Sequence, residues 1–414
     1  MFSVKTPGEV FEILKSHFID QDTPCDASET IALPDACGRV LAEDISANEY
    51  VPGFHRSTVD GYAVLASDTF GCSDSIPAIL ELTGEVQMGE GADQILTAGS
   101  CVYVPTGGAI PDGADAMVMI EYTEDYGDGT IGIMKPAAPG MNMIYKGDDV
   151  FPGKKVLISG RKLTSSDIGA LAAMGITELA VIKKPLVGII STGDELVPVS
   201  VTPADGQIRD VNSAMLDALC REAGADTKLY GIIPDDAGHL TEAVESAIRS
   251  CDIILISGGS SVGTKDITAQ IIEQHGNLLL HGIAMKPGKP TIVGNADGKP
   301  VFGLPGHPVA AFFVSQLFVR YLIDAFCGNP AVSETAFCQQ HISAGLTEAI
   351  STNHGREEYL GVRLKESASG QRLAVPIHSK SGLISSLAGA DGYICIPRDC
   401  EGLPAGAEVT VYLF

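Results

Sequence analysis

The chain has 414 residues, 45% of them hydrophobic and 19% charged, which is a globular composition and excludes disorder as its main state. Its net charge of −25 excludes binding driven by Lys and Arg against phosphate, so nucleic acid and anionic membrane are not expected partners. The acidity is uneven: residues 1–150 hold 6 Lys/Arg against 25 Asp/Glu, a net of −19, and the remainder is nearly balanced.

In chain order, Thr6-Pro7-Gly8-Glu9 reads as a capping box with Pro in the first helical turn. Val10, Phe11, Leu14 and Phe18 follow at helical spacing, predicting a helix over 6–19 with one buried face. From about 30 to 160, short β-type runs such as ILELTGEV and SCVYV alternate with Gly, Pro and Asp clusters. Within this stretch Asp60 stands on a turn before Gly61, and Pro105–Asp115 forms a Gly/Pro loop that supplies Thr106. A third loop, Asn142–Gly153, contains Lys146-Gly-Asp-Asp149. Ser165–Met174 reads as a helix capped by Ser165 or Ser166.

From 185 onward, strands alternate with helices, predicting βαβ units and a mostly parallel sheet. Strands are expected at 186–190, 228–233, 252–256, 278–283, 290–294 and 300–303. Helices are expected at 212–223, 236–249 and 266–275, with a long one from Pro308. That last segment, Pro308–Phe326, is the longest apolar stretch, but it carries Gln316, Arg320 and Asp324 and so reads as a buried helix rather than a membrane span. After Pro330 the chain turns β-like again. The ten Cys contain no C-x-x-C pair and there is no apolar leader, so reduced thiols in a cytoplasm are expected.

Four loops, and the Asp235-Asp236 pair beside them, fall at strand ends, where open α/β sheets bind ligands. Ser257-Gly-Gly-Ser-Ser-Val-Gly263 runs from a strand into a helix, and its glycines let an anion approach backbone N–H groups; it equally suits a plain strand–helix turn. Ser191-Thr-Gly-Asp-Glu195 offers Asp194 and Glu195 to a metal or hydroxyl, or as first-turn carboxylates of a helix. Asp235-Asp236 carries the same alternatives. Met285-Lys-Pro-Gly-Lys-Pro290 fixes two cations, a pair suited to an oxyanion or to a solvated hairpin. Phe302-Gly-Leu-Pro-Gly-His-Pro308 is a rigid fourth turn, in which a lone His307 reads as structural. Together these loops suit a phosphorylated substrate, a divalent cation and an oxyanion.

The ordered set RSTVDGYA, PTGGAIPDGAD, STGDEL, SGGSSVG-x-x-D, KPGKP and GLPGHP resembles the molybdopterin molybdenumtransferase family, which includes the E domain of gephyrin and its plant counterpart. The resemblance covers residues 5–410. It implies insertion of molybdenum from molybdate, or from the similar tungstate, into adenylylated molybdopterin, with release of AMP and a requirement for Mg²⁺. It implies a multidomain α/β and β fold: an elongated linker domain at 1–50 and 147–182, a β-rich domain inserted at 51–146, an α/β molybdopterin-binding domain at 183–327 and a β-barrel-like domain at 328–414. The partners it implies are a second copy of the chain, the molybdopterin adenylyltransferase and apo-molybdoenzymes.

Carried over by motif, Gly258, Gly259, Ser260 and Ser261 would hold the pterin phosphate. Asp60, Thr106, Asp149, Glu195, Asp236 and Asp266 match catalytic positions, with Asp60, Glu195, Asp236 and Asp266 as the Mg²⁺ carboxylates. Lys286, Lys289, Pro305, Pro308, Arg356 and Ser381 match positions around the oxyanion or the cofactor. Three positions depart from the family pattern: His307 stands where Asn is usual, His55 precedes Arg56-Ser57, and Lys146 alone remains where the 142–149 stretch usually has arginine.

Overall fold

The computed structural model describes residues 4–20, 27–258, 262–329, 340–352, 354–378 and 380–414. The chain divides into two units, Met1–Glu29 with Val181–Phe414, and Thr30–Ala180.

In the first unit, Pro7–Phe18 is helical and the expected capping box is present. The Glu9 amide donates to the Thr6 hydroxyl at 3.3 Å, and the Thr6 amide donates to the Glu9 carboxylate at 2.8 Å. Its apolar face enters the core of the unit, where Phe11 meets Phe318 at 4.9 Å between ring centroids. The main sheet has six strands in the order Asp226–Ile233, Leu186–Thr192, Ile253–Gly258, Lys299–Leu304, Ile292–Ala296 and Gly276–His281. The first four run parallel, and Ile292–Ala296 pairs antiparallel with both Lys299–Leu304 and Gly276–His281, so the sheet is mixed. Leu186–Thr192 and Ile253–Gly258 are buried almost throughout, as strands covered on both faces must be. Because the four strands are parallel, their carboxyl ends share one edge, and the loops singled out above leave from it.

Two local expectations are corrected. No helix opens after Asp194-Glu195. The chain instead makes a short Leu196–Val197 strand paired with Ile208–Arg209, and the helix Val211–Glu222 starts only after Asp210, whose carboxylate accepts from Ser213 N at 3.1 Å. Gly193 at φ 152°, followed by Pro198, Pro203 and Gly206, rules out a helix there. Asp194 and Glu195 are therefore loop carboxylates rather than first-turn ones. The second correction concerns Ser165–Ala173, whose cap is Thr164 and not a serine, because Asp167 stands three residues later and accepts from both Thr164 N and its hydroxyl at 2.8 Å.

Asp167 also accepts from Arg161 at 2.9 Å. Burial pulls its pKa up, but the hydrogen bonds from Arg161 and Thr164 outweigh it and hold the carboxyl below the ordinary 3.8. Asp167→Ala is expected to cost about 2 kcal/mol, cap and half-exposed ion pair together. A lowered folded pKa adds stability above 3.8 that fades as pH falls toward the folded value. The melting temperatures of wild type and variant should therefore converge in acid; a gap that persists there contradicts the assignment.

The long apolar segment is Pro308–Val314, one wide π turn at Ser315–Val319, then Arg320–Phe326. It is long and apolar enough to cross a membrane, yet 72% of its apolar window is buried inside the protein. The C-terminal strands close a five-strand barrel in the order Glu357–Glu366, Arg372–Pro376, His341–Leu346, Glu408–Leu413 and Gly392–Ile396, with the last pairing back to the first. Val362, Ala374, Ile394 and Val411 fill it.

The second unit holds a six-stranded mixed sheet in the order Ala116–Met119, Gly61–Val64, Ser100–Val104, Ala78–Glu85, Thr130–Ile133 and Thr123–Asp125. Leu80, Cys101, Val118 and Ile131 form one core there, and Ala63, Val102 and Met117 another. None of the eight described cysteines is disulfide-bonded, and burial pushes the Cys101 and Cys220 thiols up to about 12, as expected of small buried hydrophobes.

Candidate active site

A two-residue parallel ladder joins the α/β sheet to the barrel: Met285 and Lys286 pair with Glu357 and Glu358. Beside it opens a cleft of about 480 Å³. Five of the residues assigned by motif line it, namely Lys286, Lys289, Pro305, Arg356 and Ser381, drawn from segments as far apart in sequence as 286 and 381. Pro308 is not on the wall; it sits in the first turn of the helix behind it.

The lysine turn is held rigidly. Gly288 takes φ 122°, a conformation that favours glycine, and the Thr291 hydroxyl donates to its carbonyl at 2.7 Å. The Lys289 carbonyl accepts from Ile283 N at 2.9 Å. On the opposite wall Ser381 is docked on the Pro-Gly-His-Pro loop: its carbonyl accepts from Val309 N at 3.1 Å and its hydroxyl meets His307 Nδ1 at 3.0 Å. His307, read from sequence as structural, thus helps to form the cleft wall. Tyr359 forms the floor and donates to Glu357 at 2.7 Å.

Sequence reasoning missed Glu358 and Lys380, which also line the cleft. Glu358 lies opposite Lys286 in the ladder and binds its ammonium at 2.8 Å. The Thr352 hydroxyl donates to the other carboxylate oxygen, and the Glu358 side chain is only 13% exposed. Asn212 was also missed. Its Nδ2 donates to Ser257 Oγ at 2.7 Å and to the Gly306 carbonyl at 3.0 Å, tying the strand end to the Pro-Gly-His-Pro loop. Its Oδ1, like Ser191 Oγ, is buried with no partner among the described residues. The available signal was an Asn two residues after a capping Asp on an otherwise apolar helix face.

At the parallel strand ends, the Thr192 hydroxyl donates to Asp235 at 2.6 Å, and Asp235 N donates to Asp194 at 3.2 Å. Asp236 caps the helix Ala237–Ser250, accepting from Gly238 N at 2.9 Å and His239 N at 3.0 Å, and its second oxygen binds His239 Nδ1. The backbone hydrogen bond from His239 and then its ring hold Asp236 below its ordinary pKa, and the same carboxylate raises His239. Glu195 is exposed. Gly258 closes its strand opposite Thr192. Gly259, Ser260 and Ser261 lie outside the described residues, as does the Asp266 side chain.

In the second unit Asp60 and Thr106 meet: the Asp60 carboxylate accepts from Thr106 N at 2.9 Å. Asp149 stands on a separate exposed turn, with its amide bonded to the Val51 carbonyl. Among the described residues, no group of three or more His, Cys, Asp or Glu is gathered as a metal site.

Residues 7–175 match the family description "MoeA N-terminal region (domain I and II)", residues 188–325 "Probable molybdopterin binding domain", and residues 343–414 "MoeA C-terminal region (domain IV)". The chain is 34% identical to the molybdopterin molybdenumtransferase of Bacillus subtilis, covering 100% of this chain and 95% of that one. It is 32% identical to the Staphylococcus aureus (strain MRSA252) enzyme of the same name, covering 93% and 90%. The crystal structure of a molybdopterin biosynthesis MoeA protein from Pyrococcus horikoshii superposes with a TM-score of 0.83 at 34% identity, covering all of both chains. Full-length identity above 30%, three family regions in order and the shared fold place the chain: it belongs to the molybdopterin molybdenumtransferase family.

Proposed function

We propose that this chain inserts molybdenum from molybdate into adenylylated molybdopterin, releasing AMP, with Mg²⁺ as cofactor. The observation that carries this reading is the single cleft that gathers Lys286, Lys289, Arg356 and Ser381. Fixed cations and a hydroxyl suit a tetrahedral dianion, which offers acceptors on every side. Lys286 and Lys289, on a turn stiffened by two prolines, would hold the oxyanion with little reorganisation.

Mg²⁺ takes hard oxygen donors, commonly one or two carboxylates plus substrate phosphate, and the strand-end carboxylates fit that chemistry. When bound, it neutralises charge on the pyrophosphate. Asp236 has both oxygens committed to the helix cap and His239, whereas Glu195 is exposed, so Glu195 is the better direct holder of the two. A homodimer in the cytoplasm is proposed with the same activity, with the molybdopterin adenylyltransferase and apo-molybdoenzymes as further partners.

Incubation of the purified protein with adenylylated molybdopterin and molybdate should give molybdenum cofactor and AMP in equal amounts, and only with Mg²⁺. Formation of adenylylated molybdopterin from ATP and molybdopterin alone would instead make it a nucleotidyl transferase. Tungstate in competition with molybdate reads out the preferred oxyanion.

Asp60→Asn separates charge from architecture. The amide oxygen still accepts the Thr106 amide, so the loop and the melting temperature should stay as they are. Insertion should nevertheless fall by about 100-fold or more, since a charge directed at the reaction is gone. Unchanged insertion would remove Asp60 from the chemistry.

A further inference from the structure

We propose that Asn212 is a positioning residue that couples the oxyanion cleft to the strand end from which the Gly-Gly-Ser-Ser turn departs; the proposal rests in part on the reading of the cleft given above. Asn212 does not line the cleft. Its side-chain nitrogen reaches both places at once, donating to Ser257 Oγ at 2.7 Å and to the Gly306 carbonyl at 3.0 Å. Ser257 immediately precedes the glycines of the turn, and Gly306 lies between Pro305 and His307, which line the cleft.

The parallel ladder between the two strands ends at Ser257 and Leu304, one residue short of the Pro-Gly-His-Pro loop. The Asn212 amide therefore ties the two segments just past the last ladder pair. The loop passes the tie on to the far wall of the cleft, through Val309 N to the Ser381 carbonyl at 3.1 Å and through His307 Nδ1 to the Ser381 hydroxyl at 3.0 Å. Asn212 is itself held firmly. It is the second residue of the helix Val211–Glu222, whose cap Asp210 accepts from Ser213 N at 3.1 Å and donates its own amide to the Val197 carbonyl at 2.9 Å. Leu216 and Cys220 bury the same helix in the core. A side chain fixed on a packed helix can hold a loop in place more precisely than another loop can.

The task calls for an amide. The Gly306 carbonyl can only accept, so the nitrogen and not the oxygen of Asn212 must face it, and the second proton of that nitrogen goes to Ser257. The cost shows on the other side of the side chain. Oδ1 has no partner among the described residues, although Asn212 is only 8% exposed. A buried acceptor left unpaired is unfavourable. Packing alone does not call for such a group, whereas two donations from one neutral atom do. Ser191, the ladder neighbour of Ser257, does not share the load, since its hydroxyl is buried with no partner among the described residues.

Two variants of the full-length protein test this, with tungstate binding and molybdenum insertion measured well below each melting temperature and expressed relative to wild type at the same pH. Asn212→Leu keeps the volume and loses both donations. Tungstate should bind about tenfold more weakly, the worth of one hydrogen bond. Insertion should fall about 100-fold, the rate cost of a shift of about 1 Å in a site. Asn212→Asp keeps the shape, and its behaviour turns on a proton. Burial, and the buried Asp210 two residues away, raise its pKa above the usual value of about 3.9. Protonated, it has one O–H to give to Gly306; ionised, it has none and sets a negative charge against the carbonyl. Its insertion relative to wild type should therefore be highest near about pH 5.5 and drop to the leucine level near about pH 8. Its melting temperature should fall away from wild type over the same range, because a raised folded pKa means stability lost as pH climbs from the usual value to the raised one. Wild-type binding and rate in the leucine variant, or an aspartate variant whose ratio to wild type is flat with pH, overturns the coupling. Should the leucine form fail to fold, the pH course of the aspartate form decides alone. If wild type binds no tungstate, the reading of the cleft fails, and the pH course of the melting temperature still upholds or refutes the junction at Asn212.

Discussion

Lys286→Ala is expected to weaken molybdate or tungstate binding by about 100-fold or more and to lower insertion in step. Two effects add. The first is loss of a charge-assisted contact to the oxyanion, about 1.5–3 kcal/mol. The second comes from Glu358. Its side chain is 13% exposed and is held by Lys286 at 2.8 Å, so removing the ammonium leaves a carboxylate bonded to the Thr352 hydroxyl but with no counter-charge from Lys286 on the wall of an anion cleft. Its charge then repels the ligand that Lys286 attracted. The double variant Lys286→Ala with Glu358→Gln should recover about tenfold of the loss, because the repulsion goes while the missing contact stays. The melting temperature should also fall in Lys286→Ala and recover in part in the double variant, since Glu358 is only 13% exposed and loses its counter-charge. Anion titration of the two variants beside wild type decides it. If single and double variants bind alike, the charge of Glu358 is not felt at the site; if Lys286→Ala binds like wild type, the oxyanion sits elsewhere.

That prediction draws on a contact no local pattern reveals. Lys286 and Glu358 are about 70 residues apart, joined by a ladder only two residues long, too short to leave an alternating signature. Only the motif set brought Lys286, Arg356 and Ser381 together, and it assigned no role to Glu358 or Asn212. What was legible was local. The Thr6–Glu9 box starts a helix by chemistry confined to four residues, and the continuous apolar runs at 186–190 and 253–256 read as covered strands. Gly224, at φ 101°, ends its helix where the sequence placed the end. The misreadings were local too. Thr164 was the better cap because Asp167 completes a box with it, whereas the residue three beyond Ser165 is apolar Ile168. Asp194 and Glu195 were weighed as helix carboxylates although two prolines and a glycine follow within a dozen residues. The wide turn at Ser315–Val319 had no signal, since it contains neither Gly nor Pro and all five of its residues are buried by tertiary packing.

Gly258→Ala should cost far more than one methyl group implies. From sequence, Gly258 was a place where a ligand approaches the backbone. In the fold it stands opposite Thr192 in the parallel ladder, and a Cβ there would lie 2.2 Å from the Thr192 carbonyl oxygen and 2.2 Å from its methyl. Backbone cannot yield as a side-chain end does, so the two strand ends must separate or Thr192 must turn. Either movement disturbs the bond from Thr192 to Asp235 at 2.6 Å and shifts the start of the proposed phosphate cradle. Overpacking of this kind costs about 1–3 kcal/mol, and a displacement of about 1 Å in a site costs about 100-fold in rate. The expected result is a lower melting temperature without any substrate present, together with a loss of insertion of that order. An unchanged melt with lost substrate binding would put the methyl in the ligand's space and restore the sequence-based role. An unchanged melt with full activity would mean that neither the neighbouring strand nor the ligand needs glycine there.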